Sequence, residues 1–137
     1  MSKVLLDTNI LVYSIDEESR FFQRAQRIIS NTNYDLFTTS KNLSEFLAVV
    51  TRFPKNALTI DEALQSIDDF QTFTTILFPT DRTTHVFREL LLKYKPTGLK
   101  IHDFEIVSIG LANQIKKIAT LNVKDVQEIE EIDILRV

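Results

Sequence analysis

Asp7, Glu45, Asp103 and Asn122 are far apart in the chain, yet all four carry oxygen-bearing side chains suited to a hard metal ion. Asp7 ends the first apolar run, in Lys3-Val4-Leu5-Leu6-Asp7-Thr8-Asn9, and Glu45 lies in Ser44-Glu45-Phe46. Asp103 closes Lys100-Ile101-His102-Asp103, and Asn122 falls in Thr120-Leu121-Asn122-Val123-Lys124-Asp125. Carboxylates gathered at one edge of a parallel sheet can hold Mg²⁺ or Mn²⁺, which take oxygen ligands. Packed together without a cation or a proton they repel, so such a cluster costs stability. One bound ion can polarise a phosphate and lower the pKa of a water, and two, about 3.5–4 Å apart, can also stabilise a leaving oxygen. Hydrolysis of a phosphodiester is the leading expectation, with one ion or two left open.

Composition narrows the alternatives. The 137 residues and 44% hydrophobic content suit a single domain, 1–137, with its own core. There is no cysteine, which removes disulfides, thiolate nucleophiles and Cys-based zinc sites, and the two histidines, His85 and His102, are too few for a His-rich one. Val4–Leu6 is too short for a signal peptide, and no apolar run approaches the roughly 20 residues that span a bilayer, so no membrane association and a cytoplasmic location are expected. A net charge of −3 argues against a broad basic surface for duplex DNA. Local basic groups remain: Arg20, Arg24 and Arg27 at helical spacing, and Lys93, Lys95 and Lys100 around Pro96-Thr97-Gly98. An ordinary solvated face is the plainer account of both.

Short apolar runs at Val4–Leu6, Leu36–Thr38, Ile76–Phe78, Ile118–Leu121 and Ile134–Val137 are expected as strands buried on both faces. Between them, Ser19–Ser30, Leu43–Phe53, Thr59–Thr72, Arg82–Tyr94 and Asp103–Lys116 carry helical periodicity. Thr59-Ile60-Asp61-Glu62 is a capping-box pattern. Alternating strands and helices predict a three-layer α/β/α sandwich around a parallel sheet of four to five strands, with two helices between the second and third. Ligands of such sheets bind outside the carboxyl ends of the strands, near the reversal of strand order. Asp7 and Asn122 fall at such ends, with Glu45 and Asp103 in or before the first turns of the helices that follow.

Capping competes with chemistry at each position. Asp7 or Thr8 can cap a short helix from Asn9, Asn42-Leu43-Ser44-Glu45 resembles a capping box, Asp103 precedes the helical run Ile106–Ala112, and Asn122 suits an Asx turn before Asp125.

Taken in order, these four blocks resemble the PIN domain, and within it the small VapC-type toxin ribonucleases of prokaryotic toxin–antitoxin pairs. The resemblance spans nearly the whole chain. It implies a PIN-like fold and an Mg²⁺- or Mn²⁺-dependent endoribonuclease, with Asp7, Glu45 and Asp103 as metal ligands. Asn122 stands where the family often has a carboxylate; it would complete the site directly or through water, and its neutral amide should weaken a second ion more than the first. Thr8, Asn9 and Thr120 would orient the ligands from behind. Asp125 reads more readily as a turn residue, and Val126, where relatives often have Phe, as a packing change. The resemblance also implies an RNA substrate, a cognate antitoxin covering the acidic pocket, and a homodimer.

Two other readings stand beside it. One is a PIN-fold module that binds RNA or protein without cutting, which Asn122 and the acidic balance favour. The other is an acidic receiver-like doubly wound domain, disfavoured because Thr8 and Asn9 follow Asp7 where that class pairs acids. His102 and His85 are expected to be structural or solvent-exposed. The ten phenylalanines are expected mostly in the core, with Phe21, Phe46, Phe53, Phe70 and Phe73 able to leave an apolar patch for a partner helix.

Overall fold

The computed structural model describes residues 1–137. Five parallel strands form one sheet: β1 (Ser2–Leu6), β2 (Tyr34–Thr39), β3 (Thr74–Leu77), β4 (Lys117–Thr120) and β5 (Asp133–Arg136), in the order β3-β2-β1-β4-β5. The chain builds outward from β1 through β2 to β3, then returns to place β4 on the other side of β1, pairing Leu5 with Ile118. Strand order therefore reverses between β1 and β4, and the carboxyl ends of those two strands flank the crevice where ligands of open α/β sheets bind.

Six helices cover the sheet: α1 (Thr8–Ser14), α2 (Phe22–Ile29), α3 (Ser40–Val50), α4 (Ile60–Gln71), α5 (Asp81–Tyr94) and α6 (Lys100–Ala112). The side-chain alternation of β1 divides them into two layers. Val4 and Leu6 face Ile10, Leu11, Ala25, Phe46, Val50 and Phe70 of α1–α4. Leu5 points the other way, onto Leu90, Phe104 and Val107 of α5 and α6. α6 approaches so closely at Gly110 that a Cβ there would stand 3.0 Å from Leu5 Cδ2. The expected α/β/α sandwich is present, with both α3 and α4 between β2 and β3. The edge strands depart from the expectation: β3 and β5 are only partly buried, because each has one neighbour.

Two helix starts differ from the sequence expectation, and the first of them moves a site residue. α3 begins at Ser40 because Thr39 caps it, its hydroxyl accepting from Asn42 N at 3.2 Å while Asn42 Oδ1 accepts from Thr39 N at 3.3 Å. The capping box thus runs from Thr39 to Asn42, and Glu45 lies in the second turn. α6 begins at Lys100 behind Leu99, which offers no side-chain cap, so Asp103 lies in its first turn as expected, and the helix ends at Ala112 rather than Lys116. The box at Thr59 and Glu62 forms as the sequence indicates.

Candidate functional site

The carboxyl ends of β1 and β4 carry the polar network that builds the site. Asp7 follows β1 and caps α1, one carboxylate oxygen accepting from Thr8 N at 2.8 Å. Its other oxygen accepts from Thr120 Oγ1 at 2.8 Å and Asn9 Nδ2 at 3.4 Å. Thr120 Oγ1 in turn accepts from Asn9 Nδ2 and from Asn122 N, while Leu121 N donates to Asn9 Oδ1. These bonds lock the end of β1 to the end of β4 across more than a hundred residues of sequence. Capping and site-building are therefore the same contacts at Asp7.

A second chain of bonds ties in α3. Asn42, fully buried, donates from Nδ2 to Thr8 Oγ1 at 2.9 Å and to Asp7 Oδ1 at 3.4 Å. The Thr8 hydroxyl then donates to Glu45 Oε2 at 3.2 Å. Asn42 is the site-building residue that sequence reasoning missed, because it reads as a helix cap. The available signal was its spacing of three from Glu45, which puts both on one helix face.

Asp7, Glu45, Asp103 and Asn122 line a single cavity of about 200 Å³ together with Thr8 and Asn9. It adjoins a larger one of about 480 Å³, which Glu45, Asp103 and Asn122 share with Lys41, Ser44, His102 and Asp125. The four expected positions thus converge, with Thr8, Asn9 and Thr120 bonded behind them. The largest cavity, about 630 Å³, lies elsewhere, between the α1–α2 connection and the loop after α3.

The carboxylates disturb one another's ionisation. Asp103 is pushed up to about 7, by desolvation first and then by the charges of Asp7, Asp125 and Glu45, against a smaller opposing pull from Lys100. Asp7 is raised by burial and by Asp125, although bonds from Thr120, Thr8 and Asn42 pull it down. Glu45 is raised by burial and by Asp7, with Thr8 and His102 opposing. Asp125 closes a 3₁₀ turn (Val123–Asp125) and lines the larger cavity, so this turn residue also belongs to the acidic field. Asn122 makes no side-chain cap, and its expected Asx turn is absent.

This donor set fits a hard divalent cation in its chemistry: oxygen ligands, no thiolate, and mutual repulsion that a cation would relieve. No three acidic or histidine side chains stand close enough together to form a ready-made cage.

Other expectations resolve locally. His102 is exposed at the rim, and His85 is exposed on α5. Lys93 pairs with Glu130 and Glu131 and Lys100 with Glu128, so much of the lysine cluster around Gly98 is neutralised. Phe46 and Phe70 stack edge to face in the core rather than forming a patch, and the exposed apolar side chains of that region are Val49, Ile60, Leu64 and Phe73. No helix is long and apolar enough to cross a membrane.

A parallel α/β sandwich whose acids meet at the reversal of strand order defines a class, and comparison gives it a family. The PIN domain model matches residues 4–131, and the chain belongs to the PIN domain family. No curated protein sequence matches it. Among solved structures it is similar to VapBC2 from Rickettsia felis, bound to a DNA fragment from its promoter, at 20% identity and TM-score 0.75, covering 98% of each chain. It is also similar to VapBC-1 from nontypeable Haemophilus influenzae, at 19% identity and TM-score 0.73 over 98% of this chain and 97% of that one. VapC20 of Mycobacterium tuberculosis, a toxin that cleaves the sarcin-ricin loop, is similar at 11% identity and TM-score 0.72, over 91% and 94%.

Proposed function

We propose that this chain is a metal-dependent endoribonuclease that hydrolyses RNA phosphodiester bonds, and that it is the toxin of a toxin–antitoxin pair. The observation that carries the reading is the convergence of Asp7, Glu45 and Asp103 on one cavity, where burial raises all three and the charge of Asp7 raises Glu45 and Asp103 further, Asp103 to about 7. Perturbed carboxyls gathered in a cleft support a functional-site reading.

Asp7, Glu45 and Asp103 would hold Mg²⁺ or Mn²⁺, which supplies, when bound, a Lewis acid for a phosphoryl oxygen and a water of lowered pKa. Thr120, Thr8 and Asn42 fix the Asp7 carboxylate through 2.8–3.4 Å bonds, so little reorganisation is left for the reaction itself. Thr8 does the same for Glu45. Hydrolysis adds water across the P–O3′ bond, leaving a 5′-phosphate and a 3′-hydroxyl. The Asn122 amide, which lines both cavities, would complete the site directly or through water without adding charge.

For partners, the reading includes a cognate antitoxin over the acidic pocket and a homodimer. The structural neighbours that are VapBC complexes support the first, and the exposed Val49, Ile60, Leu64 and Phe73 support an apolar contact. A binding module without turnover is the second reading, favoured by the neutral Asn122.

The deciding experiment is cleavage of labelled total RNA or tRNA by purified protein with Mn²⁺, Mg²⁺ or EDTA, beside Asp7→Asn prepared identically. Metal-dependent cutting that the variant lacks is the expected result. Equal cutting in both preparations, or none with any RNA once the antitoxin is removed, would shift the reading to the binding module.

A further inference from the structure

A cavity of about 350 Å³ adjoins the acidic site, and its chemistry is the opposite of its neighbour's. Tyr13, Phe21, Arg24 and Arg136 wall it, and Asn9 and Asn122 line both it and the acidic pocket, so the two are continuous. No aspartate or glutamate lines it, whereas the four other main cavities each carry at least two. In a chain of net charge −3 this is a local reversal of sign.

Its wall has the composition of a stacking platform. The Tyr13 and Phe21 rings meet at 5.0 Å with a 52° tilt. The guanidinium groups of Arg20 and Arg24 sit over the Phe21 ring at 4.7 and 5.7 Å from its centroid. Packing of α1 against α2 accounts for the aromatic pair, and cation–π contact with Phe21 holds Arg20 and Arg24 beside it, but Arg136 has no such contact. None of Arg20, Arg24 and Arg136 has a carboxylate within 4.0 Å, although Asp16, Glu17 and Glu18 stand two to four residues before Arg20, where they line a different cavity. Phe21 and Tyr13 are half-buried, Arg24 and Arg136 exposed. Aromatic faces with unpaired cations beside them are what a single-stranded nucleic acid needs, bases stacking on the rings and phosphates meeting the charges.

Resting on the ribonuclease reading above, we infer that this cavity seats one unpaired nucleotide of the RNA strand beside the scissile phosphate. Its base lies against Tyr13 and Phe21 and its phosphate meets Arg24 and Arg136. The cavity volume falls within the roughly 300–1,000 Å³ of small-ligand sites, enough for a single nucleotide. The acidic pocket alone would repel a polyanion, and the arginine-lined cavity next to it gives the strand a place to bind.

The test is fluorescence anisotropy of the full chain with a labelled single-stranded RNA 12-mer of mixed sequence, in EDTA so that binding is read without cleavage. Phe21→Leu keeps an apolar side chain against Tyr13 but removes the stacking face, and it should weaken binding about tenfold. Arg24→Gln, at an exposed position, should weaken binding and flatten the slope of log Kd against log salt by about 0.7 for the lost phosphate contact. Should Phe21→Leu melt early, Arg24→Gln decides alone. Unchanged affinity and slope in the folded variants would overturn the subsite and leave the nuclease reading standing. Failure of the parent chain to bind these single strands would overturn it too, while cleavage by the parent and its absence in Asp7→Asn judge the nuclease reading separately.

Discussion

Asp103 shows how the site trades stability for chemistry. Its carboxyl is raised from the usual 3.8 to about 7, so between those values the folded state binds more protons than the unfolded one. Its contribution to stability is full below about pH 4 and is lost as pH rises through about 7. Asp103→Asn removes that penalty. Without added metal, the variant should melt above the parent chain at pH 8 and level with it at pH 4, while losing RNA cleavage; thermal melts at the two pH values and a cleavage assay check both halves. Asn122 poses the converse case. Asn122→Asp adds a fourth acid beside Asp7 and Asp103, so it should lower the melting temperature of the metal-free chain at pH 8 and tighten Mn²⁺ binding in calorimetry. Unchanged Mn²⁺ affinity would place residue 122 outside the reach of the cation.

At the scale of elements, α3 does more than cover the sheet. Its first turn presents Asn42, whose amide oxygen accepts from Thr39 and whose amide nitrogen donates to Thr8. The helix start, the end of β1 and the Glu45 carboxylate are thereby held in one network. Asn42→Ala leaves the buried Thr39 N–H without its partner and removes the donor to Thr8 Oγ1, which costs about 1–3 kcal/mol. A fall of several degrees in melting temperature is expected, together with reduced cleavage because Glu45 loses the group that fixes Thr8. Normal cleavage in a destabilised but folded variant would restrict Asn42 to holding the fold. α6 is bound on the opposite layer by the close approach of Gly110 to Leu5, which sets the height at which Asp103 enters the site from its first turn.

For the molecule as a whole, the sheet order makes two chemically opposed surfaces meet. Acids from β1, α3 and α6 line one cavity, while α2 and the end of β5 bring arginines to the next. Asp7, Glu45 and Asp103 are all raised, so the metal-free fold should lose stability as pH rises, the share of Asp103 going between about 4 and about 7. A cation that binds the deprotonated carboxylates reverses this, because binding competes with protons. Mn²⁺ or Mg²⁺ at millimolar concentration should therefore raise the melting temperature at pH 8 and do little at pH 5. A shift equal at both pH values would mean that the ion binds elsewhere.

Much of this was legible in the sequence, for reasons that are local. Val4–Leu6 and Ile118–Leu121 are apolar runs of strand length, the Thr59–Glu62 box writes its own helix start, and Asp7 and Asn122 follow strands that their apolar runs mark. The oxygen-only chemistry of the site follows from the absence of cysteine and the scarcity of histidine. What the sequence left undecided depended on partners distant along the chain. Asn42 looks like a cap until Thr8 is placed against it, and Asp125 looks like a turn until β4 lies beside β1. Arg24 and Arg136 belong to one cavity only because β5 pairs with β4 and α2 packs on α1. Periodicity and capping act over a few residues, whereas a shared cavity is set by strand order, which tertiary packing alone decides.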